Sequence, residues 1–483
     1  MTSAARGRAS PVRAIVMVWD GLRPDMVSEQ TTPRLHALAA AGVRFAASHA
    51  IFPTVTRCNA ASIATGAQPA GHGIPGNEFV IPGSDGEVLT AANAAHLDRL
   101  RAARGGRLLR RPTLSELVSR AGGSAAVVGT GSPGASLLHH PDAAALGGRV
   151  YNQALWVGTS RAEMEAARGP MPAGALPNTE QNAYFTRLIT EGLLDEPAPQ
   201  LITYWHTDPD RTQHVRGVGH PDTMRSVRDA DDGLGAILDA LDRRGLAGST
   251  NVVVTSDHGF STMGEYLDIP DALVAAGVKA SRESTDVVVA SNAVYVREGG
   301  PELVARVVAA LQALPGIGCL FTGANGTPVV PGTVPLPAIG HDGELEPEVL
   351  FSPEWSDEAN EHGYPGTRPA DGSRYAADHG ALSPWEVRNT LIAAGPAFKR
   401  GLVSDVPAGN ADVAPTLAHA LGIAAPGPFD GRVLAEALAG GPDPARASVV
   451  RTTLDASHGR YAQRVQVAEV DGARYVALGV ARR

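Results

Sequence analysis

Asp20, Thr56, Asp210, His214, Asp257, His258 and His379 are scattered through a chain of 483 residues. Together they offer three carboxylates, three imidazoles and one hydroxyl. That set can ligate two divalent cations and place a threonine nucleophile between them. The chemistry would be two-metal hydrolysis of phosphoryl-type esters, provided the chain brings these residues together.

Each residue has a plainer reading beside the functional one. Asp257 and His258 end the apolar run NVVV in NVVVTSDHG. An adjacent acid and imidazole at the end of a buried strand cost desolvation unless something pairs them, and a metal supplies that pairing. Asp210 and His214 in WHTDPDRTQH stand four apart, which puts both on one face if the segment is helical. Asp208 and His206 compete with them, and His206 could instead orient a ligand. Asp20 closes VMVWD, where ligands bind in open α/β sheets, although Asp-Gly also makes an ordinary turn. Thr56 precedes a small-residue helix expected over 59–65. Its hydroxyl could be a nucleophile activated by a metal, or a helix cap. The helix start itself favours an anion. Asn77 ends the glycine-rich turn GHGIPGN and could donate to a phosphoryl oxygen, or serve only the turn. His379 in ADHG could complete a metal site or face solvent. His139, His140, His341, His362 and His458 lie in expected loops and read as solvated, with His362 the one that could reach the site.

The elements that must position these groups follow from hydrophobic pattern. Residues 14–19 (AIVMVW) form an apolar run without alternation, as a strand buried on both faces should. Further buried strands are expected at 124–131, 201–206, 251–259 and 389–395, with helices at 32–42, 178–194, 221–245 and 412–422. Strands alternating with helices indicate an α/β fold: a mostly parallel central sheet sandwiched by helices. The core is expected from residues 1–261 and 375–483, with a Gly/Pro-rich surface insertion at about 132–199. Residues 262–374 carry a strand–helix–strand pattern and read as a smaller inserted α+β lobe.

Composition narrows the class. Hydrophobic residues make up 43% of the chain, ample for a core. A net charge of -9 argues against a nucleic-acid polymer as partner. The two cysteines, Cys58 and Cys319, exclude a disulfide framework without deciding on one bridge. No apolar run reaches membrane-span length, and 14–19 is too short for a signal-peptide core. No membrane partner and a cytoplasmic location are the expectations.

Taken together, the segments VWDGLRPD, FPTVTRCN, HGIPGN, DPDRTQH, TSDHGF and DHGALS resemble the alkaline phosphatase superfamily in type and order. Within it the chain is most similar to the type I phosphodiesterase/nucleotide pyrophosphatase branch. The late segment DVAPTLAHALGI looks like that family's C-terminal helix motif. The resemblance implies an alkaline-phosphatase-like fold and two metal ions, zinc first and manganese as the alternative. It implies that Asp210, His214 and His379 hold one ion. Asp20, Asp257, His258 and the Thr56 oxygen would hold the other, and Asn77 would contact the phosphoryl group. The implied mechanism is in-line attack by Thr56 and release of a covalent phospho-enzyme by water. Two metals roughly 4 Å apart suit it, one for the attacking oxygen and one for the leaving oxygen. The implied substrate is a small phosphodiester or pyrophosphate.

The sequence also departs from that family. Nucleotide pyrophosphatases usually place an aromatic residue near the nucleophile for base stacking, whereas here Arg57 follows Thr56. Arginine suits phosphate or carboxylate oxygens, so Arg57 is a candidate substrate-binding residue; it could equally face solvent or pair with a nearby carboxylate. Phosphonate carbon–phosphorus hydrolysis and phosphomonoester hydrolysis therefore stand as alternatives. A sulfatase reading of Cys58 fails, because Asn59, Ala60, Ala61 and Ser62 do not follow the Cys-x-Pro-x-Arg pattern.

Overall fold

The apolar run at 14–19 forms the strand Arg13–Trp19, buried along its whole length. Ala14, Val16 and Val18 point into one core, and Ile15, Met17 and Trp19 into another. A strand of that kind needs helices on both faces. One face is covered by Thr56–Thr65, Leu114–Arg120, Pro133–His139 and Val413–Leu421. The other is covered by Pro33–Ala41, Thr179–Leu188 and Pro221–Arg243. The molecule is the expected helix–sheet–helix sandwich. The computed structural model describes residues 12–195, 197–370 and 374–483.

Nine strands make the central sheet, in the order Leu402–Ser404, Val43–Phe45, Leu391–Ala394, Thr250–Thr255, Arg13–Trp19, Leu201–His206, Ala125–Gly129, Arg149–Asn152 and Leu155–Val157. The sheet is mostly parallel. The chain reverses at Leu391–Ala394, antiparallel to both its neighbours, and at the far edge strand Leu155–Val157. Register decides where the site forms. Val18 lies opposite Thr255 and Trp205, and Trp19 opposite His206. The three strands therefore end level, and the chain leaves all of them at one edge of the sheet, where open α/β sheets bind ligands.

Four features differ from the sequence expectation. The stretch read as a surface insertion contributes Arg149–Asn152 and Leu155–Val157 to the main sheet, joined by a two-residue turn that its Gly/Pro-rich flanks disguised. The expected strand over 286–298 is a hairpin, Val287–Ala290 with Ala293–Val296, turning at Ser291 in the left-handed region (φ 47°). His139, His140 and His341 are buried rather than solvated; His341, for instance, is paired with Glu346 at 2.7 Å. The last residues form three long antiparallel strands, Val450–His458, Tyr461–Val470 and Ala473–Arg482. Cys58 and Cys319 are buried free thiols.

The hairpin joins a five-stranded sheet with Val349–Pro353, Ile317–Thr322 and Val334–Pro335. Helix Gly300–Ala313 covers one face. On the other face Tyr295, Phe321 and Leu350 pack with Val465 and Val476 of the C-terminal strands and with Phe52. Phe52 leads into the segment that carries Thr56. Burying an aromatic side chain of this kind contributes about 1.5–3 kcal/mol, so the same packing that holds this lobe also fixes the loop before Thr56. Among the described residues no helix is long and apolar enough to cross a membrane.

Candidate active site

Three segments leave the level strand ends and turn toward one another. After Trp19, Asp20 donates its backbone N–H to the His206 carbonyl at 3.0 Å, and the Asp20 carbonyl accepts from Asp210 N–H at 2.9 Å. Asp210 starts the helix Asp210–Arg216, so His214 stands one turn along on the same face, as the spacing predicts. After Thr255 the chain places Asp257 and His258, then enters strand Ser261–Tyr266. Ala377–Asp378 pairs antiparallel with that strand, Ser261 opposite Asp378. This pairing delivers His379, whose ring stacks on His258 with centroids 3.7 Å apart and planes at 20°.

The seven residues sort into two clusters and a hydroxyl. Asp210, His214 and His379 each present one ligand atom within 4.8 Å of the other two, and so do Asp20, Asp257 and His258. In the first cluster the Nε2 atoms of His214 and His379 lie 3.2 and 3.4 Å from Asp210 Oδ2. In the second, His258 Nε2 lies 3.2 Å from Asp257 Oδ2 and 3.7 Å from Asp20 Oδ1. Thr56 Oγ1 lies 3.3 Å from the same His258 Nε2.

The backbone aims these groups. His214 Nδ1 lies 3.1 Å from the Ala377 carbonyl, His258 Nδ1 3.0 Å from that of Gly259, and His379 Nδ1 2.8 Å from that of Thr54. A carbonyl only accepts, so each Nδ1 carries a hydrogen and each Nε2 is the ring atom turned to the cluster. Asp257 Oδ1 accepts from Gly21 N–H and His258 N–H, both at 3.0 Å. Asp20 Oδ2 accepts from Trp205 Nε1–H at 3.0 Å. The remaining oxygens, Asp20 Oδ1 and Asp257 Oδ2, and also Asp210 Oδ2, are buried without a hydrogen bond of proper geometry. Buried oxygens so left are costly unless a cation joins them. Nitrogen and oxygen donors converging in this way fit a divalent metal at each cluster.

Charge differs between the clusters. Burial pushes Asp210 up, but His214 and then His379 outweigh it and hold its carboxyl well below the usual range. Burial would lower His214, yet Asp210 and Asp378 beside it raise it to about 9. In the second cluster burial dominates. It drives Asp20 well up, aided by Asp210 and Asp257 and opposed by His258 and Arg57. It takes Asp257 to about 7 and His258 down to about 4, with His379 adding to the fall.

Thr56 is the first residue of helix Thr56–Thr65, which begins three residues earlier than the sequence suggested, and its hydroxyl makes no capping bond. Asn77 Oδ1 accepts the Arg57 backbone N–H at 2.9 Å, which leaves the Asn77 amide N–H₂ as a donor. Asn77, Arg57, His214 and His379 all line one cavity of about 320 Å³ between the sheet edge and the lobe.

Two competing candidates lie elsewhere. Asp208 turns away, accepting from Asn178 N–H and Thr212 Oγ1. The His206 ring is buried edge-on to Tyr204 and orients no ligand; its carbonyl does the work instead. His362 lies against His220, outside the site. Two supporting residues had not been singled out. Trp205 holds Asp20. Arg23 is buried between the rings of Tyr364 and Trp385, at 5.5 and 5.1 Å. It donates to the carbonyls of Phe260 and Pro365 at 3.0 and 2.7 Å. The Phe260 ring in turn touches His214, His258 and His379. Trp205 could have been found by asking which side chain at the end of 201–206 faces Asp20, whereas no sequence signal marks Arg23.

The family profile described as type I phosphodiesterase / nucleotide pyrophosphatase matches residues 14–326. An uncharacterized pyrophosphatase/phosphodiesterase of Schizosaccharomyces pombe is 22% identical over 262 residues, 51% of this chain and 44% of that protein. The human ectonucleotide pyrophosphatase/phosphodiesterase family member 7 is 33% identical over 63 residues, 13% of this chain and 14% of that protein. These matches therefore span less than half the length of either relative. An inactive variant of murine ectonucleotide pyrophosphatase/phosphodiesterase 5, solved in complex with AMP, superposes with a TM-score of 0.62 at 18% identity, covering 89% of this chain and 100% of that one. Its human counterpart gives 0.61 at 18% identity over 88% and 99%. The likeness to these structures is one of fold.

Proposed function

We propose that this chain, which belongs to the type I phosphodiesterase/nucleotide pyrophosphatase family, hydrolyses phosphodiester or pyrophosphate bonds of a small substrate with two divalent metals and Thr56 as nucleophile. The observation that carries the reading is the convergence of three partnerless buried carboxylate oxygens and three Nε2 atoms beside one hydroxyl. Asp210, His214 and His379 would hold one ion; Asp20, Asp257, His258 and Thr56 Oγ1 would hold the other. Zinc suits this mix of imidazole and carboxylate, and manganese fits the same donors. When bound, the ions supply Lewis acidity that lowers the hydroxyl pKa and offsets charge on the phosphoryl oxygens.

The chain's own groups do the rest. Thr56 Oγ forms a bond to phosphorus while the bond to the leaving oxygen breaks in line. Asn77 Nδ2 donates to a phosphoryl oxygen, a preorganised contact of a kind whose loss costs about 3–4 kcal/mol. Water then forms a bond to phosphorus as the bond to the Thr56 oxygen breaks, and the proton that the water gives up restores the Thr56 hydroxyl. Phosphonate or phosphomonoester cleavage is the second reading, favoured by the cationic Arg57 beside the nucleophile.

The test is metal analysis and a substrate panel on zinc-loaded protein: bis(p-nitrophenyl) phosphate, p-nitrophenyl phosphate, a dinucleotide and phosphonoacetate. Thr56→Ala should keep both metals and lose turnover. A monoester preference above about tenfold, about 1.4 kcal/mol, would overturn the diesterase assignment.

A further inference from the structure

Arg57 differs from several shielded arginines of this protein. Arg23, Arg101, Arg104 and Arg432 each meet a carboxylate at 2.6–2.7 Å, namely Asp25, Asp142, Glu344 and Glu436. Among the described residues Arg57 makes no ion pair. Its Nη2 donates to the neutral Ser132 Oγ at 2.6 Å, and its Nε is buried without a partner. A half-buried guanidinium lacking a counter-charge has lost part of its hydration without a compensating ion. The Ser132 bond and the Asn77 bond to the Arg57 backbone fix its position, so the cost is built into the site rather than relaxed away.

Arg57 lines the cavity that also contains Asn77, His214 and His379. We infer that the substrate carries a second oxyanion, a carboxylate or a phosphate-type group, on the fragment attached to the scissile phosphorus, and that Arg57 binds it. The inference rests on the phosphoryl-hydrolase reading above and narrows its substrate class. The planar, permanently charged guanidinium suits an oxyanion, to which it can offer the Nη1–H groups that make no hydrogen bond among the described residues. The cavity, about 320 Å³, lies at the small end of the ligand-pocket range of roughly 300–1,000 Å³. The anion-bearing fragment would sit in this cavity. The position after the nucleophile offers it a cation instead of an aromatic face.

The test uses a matched pair, p-nitrophenyl methylphosphonate and p-nitrophenyl carboxymethylphosphonate, on zinc-loaded wild type, Arg57→Gln and Arg57→Lys. The expected ratio of kcat/KM favours the carboxylate-bearing ester by at least about tenfold in wild type. That ratio should collapse toward one in Arg57→Gln and survive in part in Arg57→Lys. A wild-type ratio near one, or a ratio unmoved by Arg57→Gln, overturns the inference. If neither ester turns over, the hydrolase reading fails by itself. The inference is then decided by calorimetric binding of phosphonoacetate against methylphosphonate to zinc-loaded Thr56→Ala protein, with and without Arg57→Gln. Equal affinities there overturn it. Unchanged metal content and melting temperature in Arg57→Lys keep the result free of folding effects.

Discussion

Asp210, His214 and His379 pair one carboxylate with two imidazoles, whereas Asp20, Asp257 and His258 pair two carboxylates with one. The first cluster is partly exposed and its charges offset each other, Asp210 held low and His214 high by mutual attraction, although Asp210 Oδ2 still lacks a hydrogen bond of proper geometry. The second lies fully buried at the strand ends, where desolvation drives both carboxyls up and the imidazole down. Two sites with equal ligand counts thus place different demands on the fold. The second is the more deeply buried, so its charged groups carry the larger desolvation cost, and it is also the one that touches Thr56.

The largest effect should come from Thr56→Ala, with kcat/KM falling at least about 10⁴-fold. Both metals should remain, since Thr56 would add only one donor to a cluster complete without it. Loss of one metal equivalent would make Thr56 an essential ligand. Metal removal comes next: at a free ion concentration a thousand times Kd, chelation should cost about 4 kcal/mol of stability per ion removed.

The metal-free protein should also lose stability as pH rises from about 6.5 to 9. Asp20, Asp257 and His214 have folded pKa values above their unfolded ones. Their contributions are complete at low pH and vanish as pH climbs through about 7 for Asp257 and about 9 for His214. His258 and His379, lowered by burial, oppose this trend only below about 6.5, their unfolded value. Calorimetry of the chelated protein across that window should give a falling melting temperature, and a flat or rising one would contradict the charge assignment.

Trp205→Phe removes the donor to Asp20 and should weaken one metal by about 10–100-fold while sparing the other, as read by chelator competition. Equal weakening of both would erase the distinction between the clusters. Arg23→Lys is the mildest. It loses the planar fork and part of the ring contact, about 1–2 kcal/mol. Because Phe260 touches histidines of both clusters, both affinities should shift together; a shift in one alone would assign Phe260 to that cluster.

Much of this arrangement could be read from residue types. The buried strands 13–19, 201–206 and 250–255 were legible because apolar runs have few other fates. The candidate ligands were legible because acids and imidazoles end those runs. Trp205 was hidden, since an aromatic residue in a buried strand reads as core. His139, His140 and His341 looked solvated because burial of a loop histidine depends on what packs over it, which sequence spacing does not encode. The direction of Leu391–Ala394 was illegible for a similar reason: it depends on where the chain re-enters after the lobe. The alternation in YAQRVQVAEV marks a strand, but only the Val465 and Val467 contacts show which sheet it covers.

That re-entry has a consequence in time. The strand Leu391–Ala394 fits between Val43–Phe45 and Thr250–Thr255, and His379 arrives just ahead of it. On a ribosome, which releases chain from the N-terminus at roughly 5–20 residues per second, six of the seven residues emerge while the sheet still lacks its third strand and the first cluster lacks one member. Filling that gap and completing that cluster are then nearly one event, so the pair of clusters cannot form before the chain has passed the lobe.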